Sequence, residues 1–254
     1  MENLGHLALL LAAAFTAGAL NAVAGGGSFL TLPALVFTGV PPVVANATGT
    51  VALLPGYMAG AWGFKDDMQS PPGLSMKQVV ALSLIGGSLG AALLLFTPDA
   101  TFRKVVPWLL LAATAMFAFG PQLRAWAAGK NAEHKAPSLA KAAASMLAVA
   151  IYGGYFNGGL GILLLALFGL LGQTQLNAMN GMKNLVSALL TAIAVAIYAA
   201  GGIVEWKLAL IMMVAATLGG YLGARMARKI PAHMLRWGIV ATGLVMAGLF
   251  FAKG

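Results

Sequence analysis

The chain has 254 residues, 60% of them hydrophobic and 8% charged, with 15 Lys+Arg against 6 Asp+Glu, a net charge of +9 and no cysteine. Soluble domains carry about 25% charged residues, so this chain cannot cover a water-facing globule of its size, and its hydrophobicity excludes disorder. The missing cysteine excludes disulfide frameworks and thiolate chemistry, and cations this sparse, set between apolar runs, exclude a nucleic-acid surface.

What remains is an integral membrane protein. No charged residue occurs over the 62 positions from Asn3 to Phe64, and further charge-free stretches run from Ala142 to Met182 and from Asn184 to Val204. About 20 apolar residues cross a bilayer as helix, and lipid admits only helices or closed barrels. The runs lack the two-residue alternation of barrel strands, so helices are expected over 4–24, 28–38, 45–64, 77–97, 102–120, 140–157, 161–171, 178–200, 207–226 and 233–252.

The first helix has no basic leader and no compact cleavage site before a polar chain, so it reads as a retained segment, not a signal peptide. It runs into Asn21-Ala-Val-Ala-Gly25-Gly26-Gly27-Ser28. The next helix has only 11 residues, about 16 Å, half a bilayer. The pair 4–38 therefore reads as a broken helix whose glycine-rich break is tolerated only where it lines a cavity or is buried in protein. A short helix starting there aims its N–H groups and positive dipole end at the break, which suits an anion. Glycines also let helices pack closely, the plainer reading of the same residues.

In the helix over 45–64, Asn46, Thr48 and Thr50 are polar, and Asn46 and Thr50 share a face. Thr hydroxyls in membrane helices often bond only their own backbone. Gly86 and Gly90 form a small-residue pair expected to pack helices within the chain, with a homodimer as the lesser reading. Residues 121–138 read as a solvated linker between a first repeat (1–120) and a second (139–254).

The second half opens with another broken unit, 140–171, whose break holds Asn157, Gly158, Gly159 and Gly161. Lys183 follows, the only ionisable residue well inside a predicted span, with Asn180 and Asn184 beside it. Such a lysine faces a cavity or the bundle interior, or snorkels to the interface from its place near the helix start. All six carboxylates and all three histidines lie near segment ends or in connections. No catalytic, metal or cofactor constellation is present, and an enzyme is not expected. The five tryptophans sit near span ends, as an aromatic belt does.

The halves repeat each other. At an offset of 136, Gly18, Asn21 and Gly25 meet Gly154, Asn157 and Gly161. At 133, Gly86, Gly87, Leu89, Gly90 and Ala91 meet Gly219, Gly220, Leu222, Gly223 and Ala224, and Thr50 meets Lys183. If each broken unit crossed the membrane, the loop cations would divide six against eight; if each returns to its own side they divide ten against four. The positive-inside rule selects the second arrangement. The expected fold is thus an all-α polytopic membrane protein of two inverted repeats, each a re-entrant broken unit plus three transmembrane helices, with both termini outside.

Asn21-Ala-Val-Ala-Gly-Gly-Gly-Ser-Phe-Leu-Thr-Leu-Pro33, Leu176-Asn-Ala-Met-Asn-Gly-Met-Lys-Asn-Leu185, and Gly219-Gly-Tyr-Leu-Gly-Ala-Arg225 with Arg228-Lys-Ile-Pro231 resemble the signatures of the sulfite exporter TauE/SafE permeases. The resemblance covers nearly the whole chain outside 121–138. It implies a transporter of sulfite, organosulfonates or other sulfur-containing anions in the cell membrane, chiefly outward, without a cofactor. It carries the substrate site onto Asn21, Gly25, Gly26, Gly27, Ser28, Asn46, Thr48, Thr50, Asn157, Gly158, Gly159, Gly161, Asn180, Lys183 and Asn184. Import, a passive channel and, remotely, a membrane-embedded enzyme are the alternatives.

Overall fold

The computed structural model describes residues 4–23, 26–131, 138–226 and 232–253. Among these there are ten α-helices, one short 3-10 turn and no strand: α1 (Leu4–Val23), α2 (Ser28–Phe37), α3 (Pro42–Gly63), α4 (Met76–Leu95), α5 (Asp99–Asn131), α6 (Leu139–Tyr155), α7 (Leu160–Leu170), α8 (Leu176–Ala200), α9 (Trp206–Met226) and α10 (Ala232–Lys253). Three contain windows both long and apolar enough to cross a membrane, in α1, α4 and α8. The half-length α2 and α7 are as short as the sequence predicts. Most boundaries fall within three residues of the expected ones, and one differs by more. Residues 121–131, expected in the linker, continue α5 as helix to Asn131.

Local chemistry starts and stops these helices. Ser75 and Gln78 form a reciprocal capping box at the start of α4, which satisfies two otherwise orphaned N–H donors. Pro41 and Pro42 open α3, and the Asp99 carboxylate, at the first position of α5, accepts from the Val43 N–H at 3.0 Å. A carboxylate there meets the positive end of the α3 dipole. At the other end of the molecule, Gln173 donates from Nε2 to the Gln69 carbonyl at 2.7 Å, tying the α3–α4 connection to the turn before α8.

α1 and α2 form a hairpin: the rings of His6 and Phe37, at its two outer ends, stand edge to face 6.4 Å apart. The packing then pairs by exchange. Exchanging α1 to α5 with α6 to α10 turns the α1–α9 contact into α6–α4, α3–α9 into α8–α4, and α2–α3 into α7–α8, each of which occurs. The contacts α3–α8 and α5–α10 map onto themselves. Both run antiparallel. In the first, Gly60 abuts Asn184 and Gly181 abuts Phe64, while near the start of α3 the Thr48 hydroxyl accepts from the Glu205 N–H beyond the end of α8. In the second, Trp108 meets Phe251 and Gly243 meets Thr114.

Glycine sets the closest approaches. A Cβ on Gly18 would stand 1.9 Å from the Ala216 carbonyl oxygen, and one on Gly219 1.9 Å from that of Phe15, so α1 and α9 touch backbone to backbone. Their counterparts repeat this: Gly86 and Gly90 of α4 lie against Ala150, Ile151 and Gly154 of α6. The expected intramolecular packing of Gly86 and Gly90 is what these contacts describe, and Gly219 packs the same way. Gly223 has no described side-chain environment. Within the resulting core, α7 is buried from Leu160 to Ile162 and from Leu164 to Gly169.

Candidate functional site

The first break is held by Asn21. Its Oδ1 accepts from the N–H groups of Gly26 at 2.9 Å and Gly27 at 3.0 Å. The side chain at the end of α1 therefore reaches across the break and satisfies the two backbone donors that lead into α2. The N–H groups of Gly26 and Gly27 in the break thus face Asn21. What Asn21 still offers is its Nδ2, which is buried and finds no acceptor among the described residues. Ser28 and Thr31, in the first turn of α2, are also buried with unpartnered hydroxyls. Gly25 lies outside the described residues.

The second break turns differently. Asn157 has φ 62° and Gly159 φ 70°, both left-handed, and α7 begins at Leu160 after them. The carbonyls freed at the end of α6 are met by side chains from elsewhere. Tyr198 donates its hydroxyl to the Gly154 carbonyl, Asn46 donates Nδ2 to the Tyr155 carbonyl at 3.0 Å, and Tyr152 donates to the Gly158 carbonyl. Asn157 is only 2% exposed. Its Oδ1 accepts from the Tyr57 hydroxyl at 3.4 Å, and its Nδ2 is a second buried amide donor without an acceptor.

Tyr57 joins the two breaks. Besides its bond to Asn157, it interacts with the Asn21 side chain. Pro55, one turn's edge away on α3, has no N–H to return to its own helix. Beside this group lies a cavity of about 350 Å³ between α1, α3, α8 and α9, lined among others by Asn21, Leu53, Pro55, Tyr57, Gly60, Phe64, Asn184, Ala216, Thr217 and Tyr221. None of these side chains is a carboxylate or a cation.

The other predicted positions take separate places. Thr50 donates to the Asn46 carbonyl at 2.7 Å, within its own helix. Thr48 caps the start of α9 through Glu205, and Asn46 caps the end of α6. Asn184 lines the cavity and packs on Gly60, where a Cβ would stand 2.6 Å from its Nδ2. Lys183 is 4% exposed, on α8 beside Asn184 but not in the cavity wall. Asn180 is half-buried on the same helix, and one turn past Lys183 the buried Ser187 and then Thr191 hold unpartnered hydroxyls. The Gly158 carbonyl is held by Tyr152, and Gly159 and Gly161 shape the start of α7.

This arrangement, two glycine-rich breaks bridged beside a cavity, coincides with a match over residues 10–250 to the family model of the sulfite exporter TauE/SafE. The chain belongs to the sulfite exporter TauE/SafE family. Membership makes it a membrane protein of a transporter family. Among its relatives in that direction, a probable membrane transporter protein of Haemophilus influenzae is 28% identical over 253 residues, covering 94% of this chain and 92% of its own. One from Sinorhizobium, named ORF9, is 27% identical, covering 95% and 90%. YfcA of Escherichia coli, also a probable membrane transporter protein, is 25% identical, covering 95% and 88%. No solved structure matches the chain.

Within this TauE/SafE chain, the residue that joins the breaks was missed by sequence reasoning. Tyr57 sits in an apolar helix, where an aromatic side chain reads as core. The available signal was its place directly after Pro55-Gly56, a helix irregularity inside a charge-free run. Tyr198 and Tyr152 were missed for the same reason. A buried tyrosine needs an acceptor, and in this chain the acceptors are backbone and amide oxygens of the second break.

Proposed function

We propose that the chain is a secondary transporter or facilitator of small sulfur-containing anions in the cell membrane, working outward by alternating access between two inverted halves. One observation carries this reading: the buried amide donors of Asn21 and Asn157 stand without acceptors on either side of the Tyr57 link between the breaks. Buried polar groups are otherwise almost always satisfied, so two idle donors at one place are a site prepared for an acceptor-rich ligand. An anionic sulfur oxyanion is such a ligand, and the sulfite exporter name of the family points to the same chemistry.

The antiparallel packing of equivalent helices supports the inversion. α3 and α8 correspond in sequence and lie side by side in opposite directions, so the axis relating them is perpendicular to their length. For helices along the bilayer normal, that axis lies in the membrane plane, as in inverted-repeat transporters. The His6–Phe37 contact at the ends of the first hairpin supports re-entry to one side. Export of a monoanion gains about 2.3 kcal/mol per 100 mV of inside-negative potential, so no coupling ion is required.

The test is flux in proteoliposomes for sulfite, taurine, sulfoacetate, sulfate and thiosulfate, with and without sodium or proton gradients. Saturable flux of at least one anion is expected, and Lys183→Met, which keeps length and apolar bulk at a buried position, is expected to abolish it while the protein still folds. Wild-type flux in that variant would remove Lys183 from the pathway. Flux no faster than in protein-free vesicles across the whole panel would end the transport reading.

A further inference from the structure

We infer that the pathway has a second vestibule, closed in this structure, along the seam where α8 meets α4 and α6, and that Tyr198 latches it; this rests on the transport reading above. The inference starts from an inequality between equivalent places. The cavity beside Tyr57 is walled by α1, α3, α8 and α9. At the repeat offsets its residues Gly18, Tyr57, Gly60, Ala216 and Gly220 fall on Gly154, Leu190, Ile193, Ser83 and Gly87. Those five define a place between α6, α8 and α4, and it is filled. Because α3 and α8 run antiparallel, the cavity and this place lie toward opposite ends of the bundle.

Gly87 shows the difference. A Cβ there would stand 2.8 Å from the Leu190 backbone and 2.9 Å from the Ile193 side chain, whereas one on Gly220 would meet nothing of α3, only the Gly18 backbone at 3.5 Å. Ser83 and Leu190 are fully buried. Part of this is composition, since Ile193 fills what Gly60 leaves empty. The rest lies in how α8 ends. Tyr198 donates its hydroxyl to the Gly154 carbonyl of α6, Gly201 abuts the Leu95 side chain of α4, and the Glu205 N–H reaches Thr48 of α3. At the end of α3 the position equivalent to Tyr198 is Lys65, which is exposed over the Trp62 ring at 4.4 Å.

Packed interfaces switch between discrete arrangements, and inverted halves that exchange conformations open one side as they close the other. Exchange here closes α3 on α9 and parts α8 from α4 and α6. The two idle amides then divide between the vestibules. Asn21 lines the open cavity, Asn157 sits three residues after the latched Gly154, and Tyr57 stands between them. Of the three contacts at the end of α8, the Tyr198 bond is the one that loss of a single atom removes.

The chain has no cysteine, so single cysteines in sealed vesicles of each orientation test this. Ser83→Cys reports the seam, Ala216→Cys the open cavity, and Ala113→Cys, fully buried on α5 and in neither place, is the control. With a small impermeant methanethiosulfonate, Ala216→Cys is expected to label from one face, Ser83→Cys more slowly from the opposite face, and Ala113→Cys from neither. Adding Tyr198→Phe is expected to speed Ser83→Cys labelling roughly two- to tenfold, the population shift carried by one hydrogen bond, without speeding the other two; a merely structural tyrosine would loosen all three together. Ser83→Cys that never labels, or labels from the same face as Ala216→Cys, overturns the second vestibule, and this arm does not depend on the Tyr198 variant. A Ser83→Cys rate unchanged by Tyr198→Phe, or raised together with that of Ala113→Cys, overturns the latch. Anion flux through the wild-type chain is measured alongside: a seam that stays shut in a chain that transports overturns this inference alone, and absence of flux across the anion panel overturns the transport reading on which it rests.

Discussion

Asn157 is the one residue other than glycine with positive φ among the described residues, at 62°. Asparagine tolerates the left-handed region better than most side chains because its short amide bonds locally. Here that turn aims Oδ1 at Tyr57 and leaves Nδ2 idle. Two substitutions separate backbone from amide. Asn157→Gly keeps the left-handed turn and deletes the amide; Asn157→Ala deletes the amide and adds left-handed strain of about 1–2 kcal/mol. Loss of a hydrogen bond to a charged ligand is worth about 1.5–3 kcal/mol, so both variants should lose roughly tenfold or more in anion affinity, read as the half-saturating concentration. Both variants strand the Tyr57 hydroxyl, and the alanine variant should melt earlier than the glycine variant in detergent because of its added strain. Equal affinity in Asn157→Gly and wild type would show that the idle donor meets no substrate. Tyr57→Phe strands Asn157 Oδ1 in the interior and should cost about 1–3 kcal/mol of stability, read from thermal unfolding. Asn21 and Asn157 were visible in the sequence because each recurs beside a glycine break. Tyr57 was not, because its partner is 100 positions away along the chain, and no local pattern reports a pairing of that range.

Helices were the most legible feature, because a charge-free apolar run longer than a bilayer can only be helix, and a half-length run between glycine clusters can only be a broken one. α5 shows the limit. Gly120-Pro121 reads as a stop, yet the helix runs on to Asn131. Proline removes its own N–H from the ladder and crowds the carbonyl four residues back, but Leu123, Arg124, Ala125, Ala127 and Ala128 are good helix formers behind it. Thr48 and Asn46 stand out as polar positions in an apolar helix, and their hydrogen bonds at the start of α9 and the end of α6 depend on tertiary position that the sequence does not report. Packing between helices makes a sharper prediction. Gly18→Val pushes a side chain into the Ala216 backbone, where neither helix can yield without separating α1 from α9. Overpacking of this kind costs about 1–3 kcal/mol or more. Gly248→Ala on α10 meets nothing within 4 Å and should raise stability by about 0.5–1 kcal/mol through helix propensity. Thermal unfolding of the two variants in one detergent distinguishes them, and equal melting would mean that α1 and α9 do not approach as described.

Charge and packing meet in the arrangement of the whole chain. The loop-cation count assigns the α3–α4 connection, the α5–α6 connection and the α9–α10 connection to one side, ten cations against four. Independently, the ends of helices that this count places together are in contact. The Gln69 carbonyl receives the Gln173 amide before α8, and at the other end Asp99 reaches Val43 and Thr48 reaches Glu205. The count uses only lysine and arginine, whereas these contacts are made by neutral side chains and carboxylates, so the two support the proposed inversion separately. Inversion then makes a demand that a parallel repeat does not: the α3–α4 connection and its counterpart, the α8–α9 connection, must open on opposite faces. The chain has no cysteine, so single cysteines at the exposed Gln69 and Glu205 report directly. In right-side-out vesicles an impermeant maleimide is expected to label Glu205→Cys and not Gln69→Cys, and to reverse that preference in inverted vesicles. Labelling of both from one face is incompatible with inversion, because two connections related by an in-plane axis cannot share a side. It would also separate the two idle amides functionally, since alternating access needs the breaks that bear Asn21 and Asn157 to approach the midplane from opposite faces.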